Sequence, residues 1–163
     1  MKEELENKAK EMALRYLSFR DRSIGELRKY LKEKNIDPEK IEETLKDLAE
    51  AGLLNDSLYC ANYIRYAAGK GRGPLRIEKE LREKGIDPQT AKVEMEAFFE
   101  ETDERAQALA LAQKALLRSA DPAEIGQGRM PGEKDFARVA RRLASQGFRS
   151  SVIYEVLSLI KKG

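Results

Sequence analysis

A run of three cations interleaved with glycines stands at residues 70–76, where the sequence reads Lys70-Gly-Arg72-Gly-Pro-Leu-Arg76. Glycines let a backbone turn tightly and approach a partner closely, and cations gathered before a helix start attract phosphate or carboxylate groups. The run therefore predicts a binding loop for an anionic partner. The alternative is a basic loop between helices whose glycines serve turn geometry alone. A nucleotide loop is excluded, because the G-x-x-x-x-G-K-[ST] pattern is missing and no strand precedes the run.

A second group of cations falls at helical spacing near the end of the chain. Arg138, Arg141 and Arg142 stand at i, i+3 and i+4, which places them on one face of a helix. With Arg149 they would form a basic patch for an acidic protein surface or a phosphate backbone. Residues 102–163 hold 11 Lys and Arg against 7 Asp and Glu. This local excess favours a partner-binding role over the alternative, a solvated helix face.

Two weaker candidates combine arginines and tyrosines. Arg20 and Arg22 follow the first helix, where they favour its C-terminal dipole electrostatically, and this structural interpretation outweighs partner binding. Tyr63 and Tyr66 stand close to Lys70 and offer ring faces on which nucleic-acid bases could stack. Their spacing is also that of a stripe facing a helical core. We favour the core interpretation, with Tyr63 or Tyr66 reaching the surface.

The composition argues against an enzyme. The chain has 163 residues, no histidine, no tryptophan and one cysteine, Cys60. Without histidine it lacks the commonest general base, the usual nucleophilic triads and most zinc sites. We therefore expect no catalytic residue, no metal site and no cofactor. Cys60 is interpreted as a small buried residue.

The elements that carry these residues are predicted to be helices. Apolar residues recur at helical spacing, and strand-like alternation is rare. Ser23 and Glu26 form a capping-box pattern, and the Asp-Pro pairs at 37–38 and 87–88 are typical of helix starts. Gly52 is typical of the residue that follows a helix end.

These helices fall into a pattern that repeats. Residues 27–41 reappear, shifted by 50 positions, as residues 77–91, and a weaker third copy begins at Val139. A period near 50 that keeps apolar and turn positions in register is typical of a supersecondary unit used several times. We predict an all-α protein of three tandem three-helix repeats that form an elongated, curved array. The repeats are 1–54, 55–101 and 102–163, the last with an exposed loop rich in Gly and Pro at 119–132.

Charge and hydropathy set further limits. The 31 basic and 29 acidic residues nearly cancel, leaving a net charge of +2, so global charge selects no partner. A run of about 18 apolar residues does not occur, which predicts no membrane span. The N-terminus is acidic and has no apolar signal core, and a single cysteine suits a reducing compartment. We therefore expect a cytoplasmic protein.

Three stretches in the middle of the chain carry a family resemblance. They are Leu53-Leu-Asn-Asp-Ser-Leu-Tyr-Cys60, Gly71-Arg-Gly-Pro-Leu-Arg-Ile77 and Glu80-Leu-Arg-Glu-Lys-Gly-Ile86. Ser23-Ile-Gly-Glu-Leu27 precedes them, and Leu143-Ala-Ser-Gln-Gly-Phe148 follows. Together they resemble the bacterial regulatory protein RecX family, over essentially the whole chain and in order. Two departures are Cys60, where the family more often has an alanine-like residue, and the longer 119–132 loop.

The resemblance implies a modulator of the RecA recombinase made of three tandem three-helix repeats. Members of the family bind RecA and its nucleoprotein filament, either along the groove or at the growing end. They lower its ATPase, strand-exchange and co-protease activities. The family has no catalytic motif that could be transferred to this sequence.

The sequence therefore predicts a non-enzymatic negative modulator of RecA. We expect a monomer that contacts RecA and the RecA–DNA filament, with at most a weak direct contact to DNA and none to membranes. The alternative is a helix-turn-helix-like protein that acts directly on DNA, since three-helix units can be such modules. The glutamates interleaved in residues 74–84 and the near-zero net charge argue against that alternative.

Overall fold

The computed structural model describes residues 2–119 and 130–163, and in these two ranges it contains nine α-helices and no strand. The all-α prediction is therefore confirmed. The predicted 119–132 loop lies outside the described residues, except for its two ends. The helices are α1 (Lys2–Phe19), α2 (Ile24–Glu33), α3 (Pro38–Glu50), α4 (Asp56–Gly69), α5 (Pro74–Glu83), α6 (Pro88–Glu101), α7 (Glu104–Ser119), α8 (Glu133–Ser145) and α9 (Ser150–Lys162).

The helix starts follow the predicted capping chemistry. Ser23 precedes α2 and accepts a hydrogen bond from the Glu26 backbone N–H at 3.0 Å, while the Glu26 side chain accepts from the Ser23 N–H. Asp37 precedes α3 and accepts from the Glu39 N–H at 3.0 Å, with proline in the first helical position. Both predicted caps are confirmed, because side-chain oxygens at these two positions satisfy backbone donors that the helix itself leaves free.

One turn recurs at the same position of each repeat. Asn35, Gly85 and Gly147 all have positive φ, at 59°, 76° and 93°. After each of them an apolar residue returns its N–H to a leucine carbonyl five positions earlier, which closes the preceding helix in the Schellman manner. These bonds are Ile36 N to Leu31 O (3.2 Å), Ile86 N to Leu81 O (3.1 Å) and Phe148 N to Leu143 O (3.1 Å).

The described chain divides into two compact units. The first comprises the residues up to Tyr63 together with Glu80–Glu94. Its main core is formed where α1, α2 and α3 pack together, by the buried residues Ala13, Leu27, Leu31, Ile41, Leu45, Leu48 and Leu54.

The second unit comprises Ile64–Lys79 and Met95–Gly163. In its core, α7, α8 and α9 pack against one another around Ala108, Ala112, Val139, Leu143, Phe148, Ile153 and Val156. Because the two units are defined by contacts and not by the sequence period, the boundaries of the three predicted repeats stay a prediction.

Candidate functional site

The Lys70–Arg72 segment forms a tight turn directly after α4. Gly71 has φ of 85°, and the Arg72 N–H donates to the Ala67 carbonyl at 3.1 Å. Lys70 donates its N–H to the Tyr66 and Ala67 carbonyls, at 3.2 and 3.0 Å. The backbone donors of this turn are therefore used to close α4. Its side chains, and not its amides, are what it offers to an anionic partner.

Two of the three predicted cations gather around one aromatic ring. The Tyr66 ring centroid lies 5.7 Å from Lys70 Nζ and 5.9 Å from Arg72 Cζ. Tyr66 is 55% exposed, so the predicted core stripe does not extend to it. Tyr63 is half-buried, and its hydroxyl donates a hydrogen bond to the Glu80 carboxylate. A cation over a tyrosine face is held in place without losing its charge. We define Tyr66, Lys70 and Arg72 as the cationic turn.

The third cation, Arg76, serves packing within the second unit. It is half-buried, and its guanidinium donates to Gln146 Oε1 at 3.0 Å. Next to it, the Leu75 N–H donates to the Gly147 carbonyl at 2.9 Å and the Gly73 N–H donates to the Gln146 carbonyl at 2.6 Å. These hydrogen bonds join the start of α5 to the α8–α9 turn. The second glycine of the 70–76 run thus permits backbone contact, a role that its sequence pattern did not indicate.

The first unit contains a matching contact. There the start of α2 is fastened to the α5–α6 turn, because Ser23 Oγ donates to the Lys84 carbonyl. A Cβ on Gly25 would stand 2.6 Å from the Gly85 carbonyl oxygen, so the two backbones touch directly. In both units, a positive-φ glycine of one repeat contacts the start of a helix in the preceding repeat: Gly85 contacts the start of α2, and Gly147 contacts the start of α5.

Arg20 is exposed and belongs to a hydrogen-bond network around the Glu26 carboxylate in the first unit. Its guanidinium donates to Glu26 Oε2 at 2.6 Å, and the Tyr59 hydroxyl donates to Glu26 Oε1 at 2.6 Å. Burial alone would raise the pKa of the Glu26 carboxyl, but the hydrogen bonds from Tyr59 and Arg20 outweigh it and lower that pKa. The neighbouring Arg22 stacks 3.9 Å from the Tyr16 ring centroid. Both arginines thus have structural partners within the chain.

The lowered pKa of Glu26 predicts an acid-dependent part of the stability. Glu26 stabilises the fold above its unfolded-state pKa, near 4.5, and this contribution is lost as the pH falls through the lower folded-state pKa. We expect Glu26→Gln to destabilise the protein by about 1–2 kcal/mol at pH 7 and by less below pH 4.5. Urea unfolding between pH 7 and pH 3 measures the difference.

The matched control for this change is Glu42→Gln. Glu42 pairs with Arg28 at 2.8 Å, but its side chain is 59% exposed, so removing its charge should cost little at any pH. If wild type and Glu26→Gln lose stability in parallel as the solution is acidified, the Glu26 carboxylate does not stabilise the fold in this way.

The arginines of α8 are exposed. Arg138 pairs with Asp135 at 2.9 Å, and Arg149, just before α9, lies 3.8 Å from Glu104. Arg141 and Arg142 have no carboxylate partner among the described residues. Arg141 and Arg142 therefore carry charge that is available to a partner. Arg138 and Arg149 would first have to give up their weak ion pairs within the chain.

Metal-ligand clusters and a reactive thiol are two kinds of site that the described ranges can be searched for. Within them, no three His, Cys, Asp or Glu side chains converge closely enough to hold a metal ion. Cys60 is fully buried, as predicted, and burial raises the pKa of its thiol to about 11, which keeps it protonated at neutral pH. Over the same ranges, no helix is both long enough and apolar enough to cross a membrane.

Comparison with known proteins gives consistent matches. Residues 9–48 match the family model of the first three-helix domain of RecX, and residues 55–92 match that of the second. A crystal structure of regulatory protein RecX superposes with a TM-score of 0.74 at 30% identity, covering 94% of this chain and 71% of that one. The chain belongs to the RecX family. The resemblance drawn from the sequence is thereby confirmed.

Other RecX proteins agree with this assignment. The regulatory protein RecX of Halalkalibacterium halodurans is 32% identical over 149 residues, which are 90% of this chain and 52% of that protein. This chain thus spans about half the length of that relative. The crystal structure of RecX from Lactobacillus salivarius shares the fold at 23% identity, with a TM-score of 0.82 over 98% of this chain and 99% of that one.

The family assignment places the cationic turn within a RecX domain. Tyr66, Lys70 and Arg72 all fall in residues 55–92, the second three-helix domain of RecX. The network around Glu26 falls in the first domain, except for Tyr59. In this RecX-family chain, the exposed parts of the candidate site are therefore Tyr66 and Lys70 of the cationic turn, beside the half-buried Arg72, and the arginines of α8. The predicted cations Arg20, Arg22 and Arg76 contribute to packing or to intramolecular networks.

Proposed function

We propose that this RecX-family chain is a negative modulator of the RecA recombinase. It binds RecA and the RecA nucleoprotein filament and inhibits their ATPase, strand-exchange and co-protease activities. It acts in the cytoplasm as a monomer, by occupying a surface of the filament, and needs no cofactor or chemical step of its own. The observation that carries the proposal is the cationic turn, an exposed tyrosine flanked by two cations in the second RecX domain.

The chemistry of the cationic turn suits an acidic protein surface. Tyrosine and arginine are enriched where protein interfaces are strongest, since they supply contact area and charged hydrogen bonds together. Lys70 is exposed, and Tyr66 keeps 55% of its surface exposed. The α8 arginines, Arg141 and Arg142 above all, are the second candidate contact, and several modest contacts add up by avidity.

Direct DNA binding is the competing function, and the surface of α5 is unfavourable for it. The exposed residues of α5 include Glu78 and Glu83 beside Lys79 and Arg82, so acidic and basic groups alternate. Arg76, the first cation of that helix, is engaged with Gln146. Carboxylates interleaved with the cations weaken the attraction of a helix to the phosphate backbone, which supplies most of the affinity for DNA.

The test is the single-stranded-DNA-dependent ATPase of the host's RecA, titrated with this protein at physiological salt. We expect inhibition by the wild type and a loss of potency of about threefold to tenfold in the double variant Lys70→Ala with Arg72→Ala. The loss should shrink as salt is raised, because screening weakens the wild-type contacts.

The charge-matched control is Lys29→Ala with Lys32→Ala, which removes two exposed cations from α2. It should inhibit as the wild type does. Binding of the protein alone to the same DNA is measured in parallel. Tight binding to DNA together with an unaffected ATPase would replace the proposed function by the direct DNA-binding one.

A further inference from the structure

A cavity of about 270 Å³ opens in the second unit beside the cationic turn. One wall is the end of α4 with its turn, where Gly69 and Gly71 flank Lys70. The opposite wall is α7, and Phe148 from the α8–α9 turn closes the inner end. The α7 residues that line it are Gln107, Ala110, Leu111 and Lys114, at i, i+3, i+4 and i+7. We call this space the α4–α7 cavity.

The size and lining of the α4–α7 cavity suit a side chain better than a cofactor. Pockets for drug-sized ligands usually hold about 300–1,000 Å³, so this cavity lies just below that range. Its inner surface is apolar, with Leu111 half-buried and Phe148 buried. Gly69 lines the cavity, and a Cβ added there would meet no atom within 4 Å, so a larger side chain has room to extend across the mouth.

One polar atom next to the cavity lacks a hydrogen-bond partner. Gln107 Oε1 is buried and makes no hydrogen bond with the described residues. A buried acceptor without a donor is costly, because it has given up water and received nothing in return. Since Gln107 also lines the cavity, turning its side chain towards an occupant with an N–H group, such as a peptide backbone, would satisfy this acceptor.

The charge at the rim favours an acidic occupant. Lys114 lines the cavity and is exposed, and Lys70 lies between two lining glycines. No carboxylate of the described ranges pairs with either ammonium group. An apolar interior lined by Lys114, with Lys70 on the adjoining turn, is complementary to an apolar side chain next to a carboxylate.

We propose that the α4–α7 cavity is a docking site for an extended, acidic peptide segment of the partner protein. The apolar side chain of that segment packs on Leu111 and Phe148, and a backbone N–H donates to Gln107 Oε1 once the Gln107 side chain has turned into the cavity. A neighbouring carboxylate pairs with Lys114 and Lys70. The identity of the partner as the RecA filament rests on the proposed function, whereas the chemistry of the segment rests on the cavity itself.

Two variants separate this role from a structural one. Gly69→Phe fills the mouth, and its matched control is Ala49→Phe at an exposed position of α3. Gln107→Met keeps the length of the side chain and removes the unpaired acceptor, and its matched control is Gln113→Met, exposed on the same helix. A purely structural Gln107 would lose stability on this change. A binding Gln107 should leave the urea unfolding midpoint unchanged or raised, because a buried unpaired acceptor has been removed.

The first measurement is the affinity of each variant for RecA filaments on single-stranded DNA, by fluorescence anisotropy of the labelled protein. We expect Gly69→Phe and Gln107→Met to bind about tenfold more weakly than the wild type, and both controls to bind normally. If the wild type binds the filament and both cavity variants bind equally well, the cavity proposal is overturned and the proposed function stands.

The second measurement does not involve RecA. Signals of the Gln107 side-chain amide and the Leu111 methyl groups are followed by NMR during titration with acetyl-Asp-Leu-Asp-Leu-Asp-amide. Shifts that Gly69→Phe abolishes, and that the Lys-Leu-Lys-Leu-Lys counterpart does not produce, would support the proposal even if filament binding failed. Equal responses to both peptides, or none, would refute it. Concentration-dependent self-association that Gly69→Phe removes would instead assign the cavity to a second copy and also refute it.

Discussion

Gly147→Ala is expected to destabilise this protein by about 2–5 kcal/mol, a large fraction of the stability of an ordinary domain. Two costs add at this position. Its φ of 93° is unfavourable for any residue with a Cβ, at about 1–2 kcal/mol. In addition, the new Cβ would overlap with the Cβ and backbone nitrogen of Arg76. The two segments cannot easily move apart, since the Leu75 N–H donates to the Gly147 carbonyl at 2.9 Å. The chain can relieve the overlap only by breaking this hydrogen bond, which adds about 1–3 kcal/mol to the loss of stability.

Gly52→Ala separates these two costs. Gly52 has φ of 76°, but a Cβ there would meet nothing within 4 Å. Gly52→Ala should therefore lower the free energy of unfolding only by the conformational cost of positive φ, about 1–2 kcal/mol. Urea unfolding followed by far-ultraviolet circular dichroism gives both values. Equal losses at the two glycines would mean that the contact between the α5 start and the α8–α9 turn contributes nothing.

The helices and their caps were predictable from sequence because their causes are local. A serine oxygen at position 23 reaches the N–H of Glu26 three residues away, and the same geometry recurs wherever that pattern begins a helix. The all-α prediction and the repeat offset rest on similarly short-range signals. Even the recurring turn could be inferred, since Gly85 and Gly147 occupy matching positions of the repeat.

The surroundings of the predicted cations were harder to infer, because the networks that hold them include residues distant in sequence. Arg76 reads as a free cation beside Lys70, yet its guanidinium donates to Gln146, 70 positions later. Arg20 reads as a charge at a helix end, yet it donates to Glu26, which also accepts from the hydroxyl of Tyr59, 33 positions after Glu26. Of Tyr63 and Tyr66, one was expected to reach the surface, and the exposed one is Tyr66. Nothing in the local pattern encodes which side chains a neighbouring repeat will engage.

Asn35 shows how the same turn differs where no fastening occurs. It occupies the position of Gly85 and Gly147, with φ of 59°, which asparagine tolerates better than most residues. Gly85 is in contact with the backbone of Gly25, since a Cβ there would stand 2.9 Å from the Gly25 Cα, whereas no backbone hydrogen bond among the described residues joins Asn35 to a helix start. Glycine at this turn is therefore required for backbone contact and not only for positive φ. The 70–76 run follows the same rule, since a Cβ on Gly73 would stand 2.6 Å from the Gly147 carbonyl carbon.

Gly25→Ala is expected to destabilise the first unit by about 2–4 kcal/mol, although alanine normally improves a helix. Gly25 lies in the first turn of α2, where a Cβ would stand 2.6 Å from the Gly85 carbonyl oxygen and 2.8 Å from its Cα. Those atoms are backbone, fixed by the bond from Ser23 to the Lys84 carbonyl, so no side-chain rotation can relieve the overlap. Gly69→Ala is the matched control, since Gly69 is also helical but has open space around its Cβ. That change should be neutral or stabilising by up to about 1 kcal/mol. If the two variants unfold at the same urea concentration, the fastening of α2 to the α5–α6 turn does not stabilise the fold. A loss confined to Gly25→Ala would instead show that this close backbone contact, and not helix propensity, requires glycine at position 25.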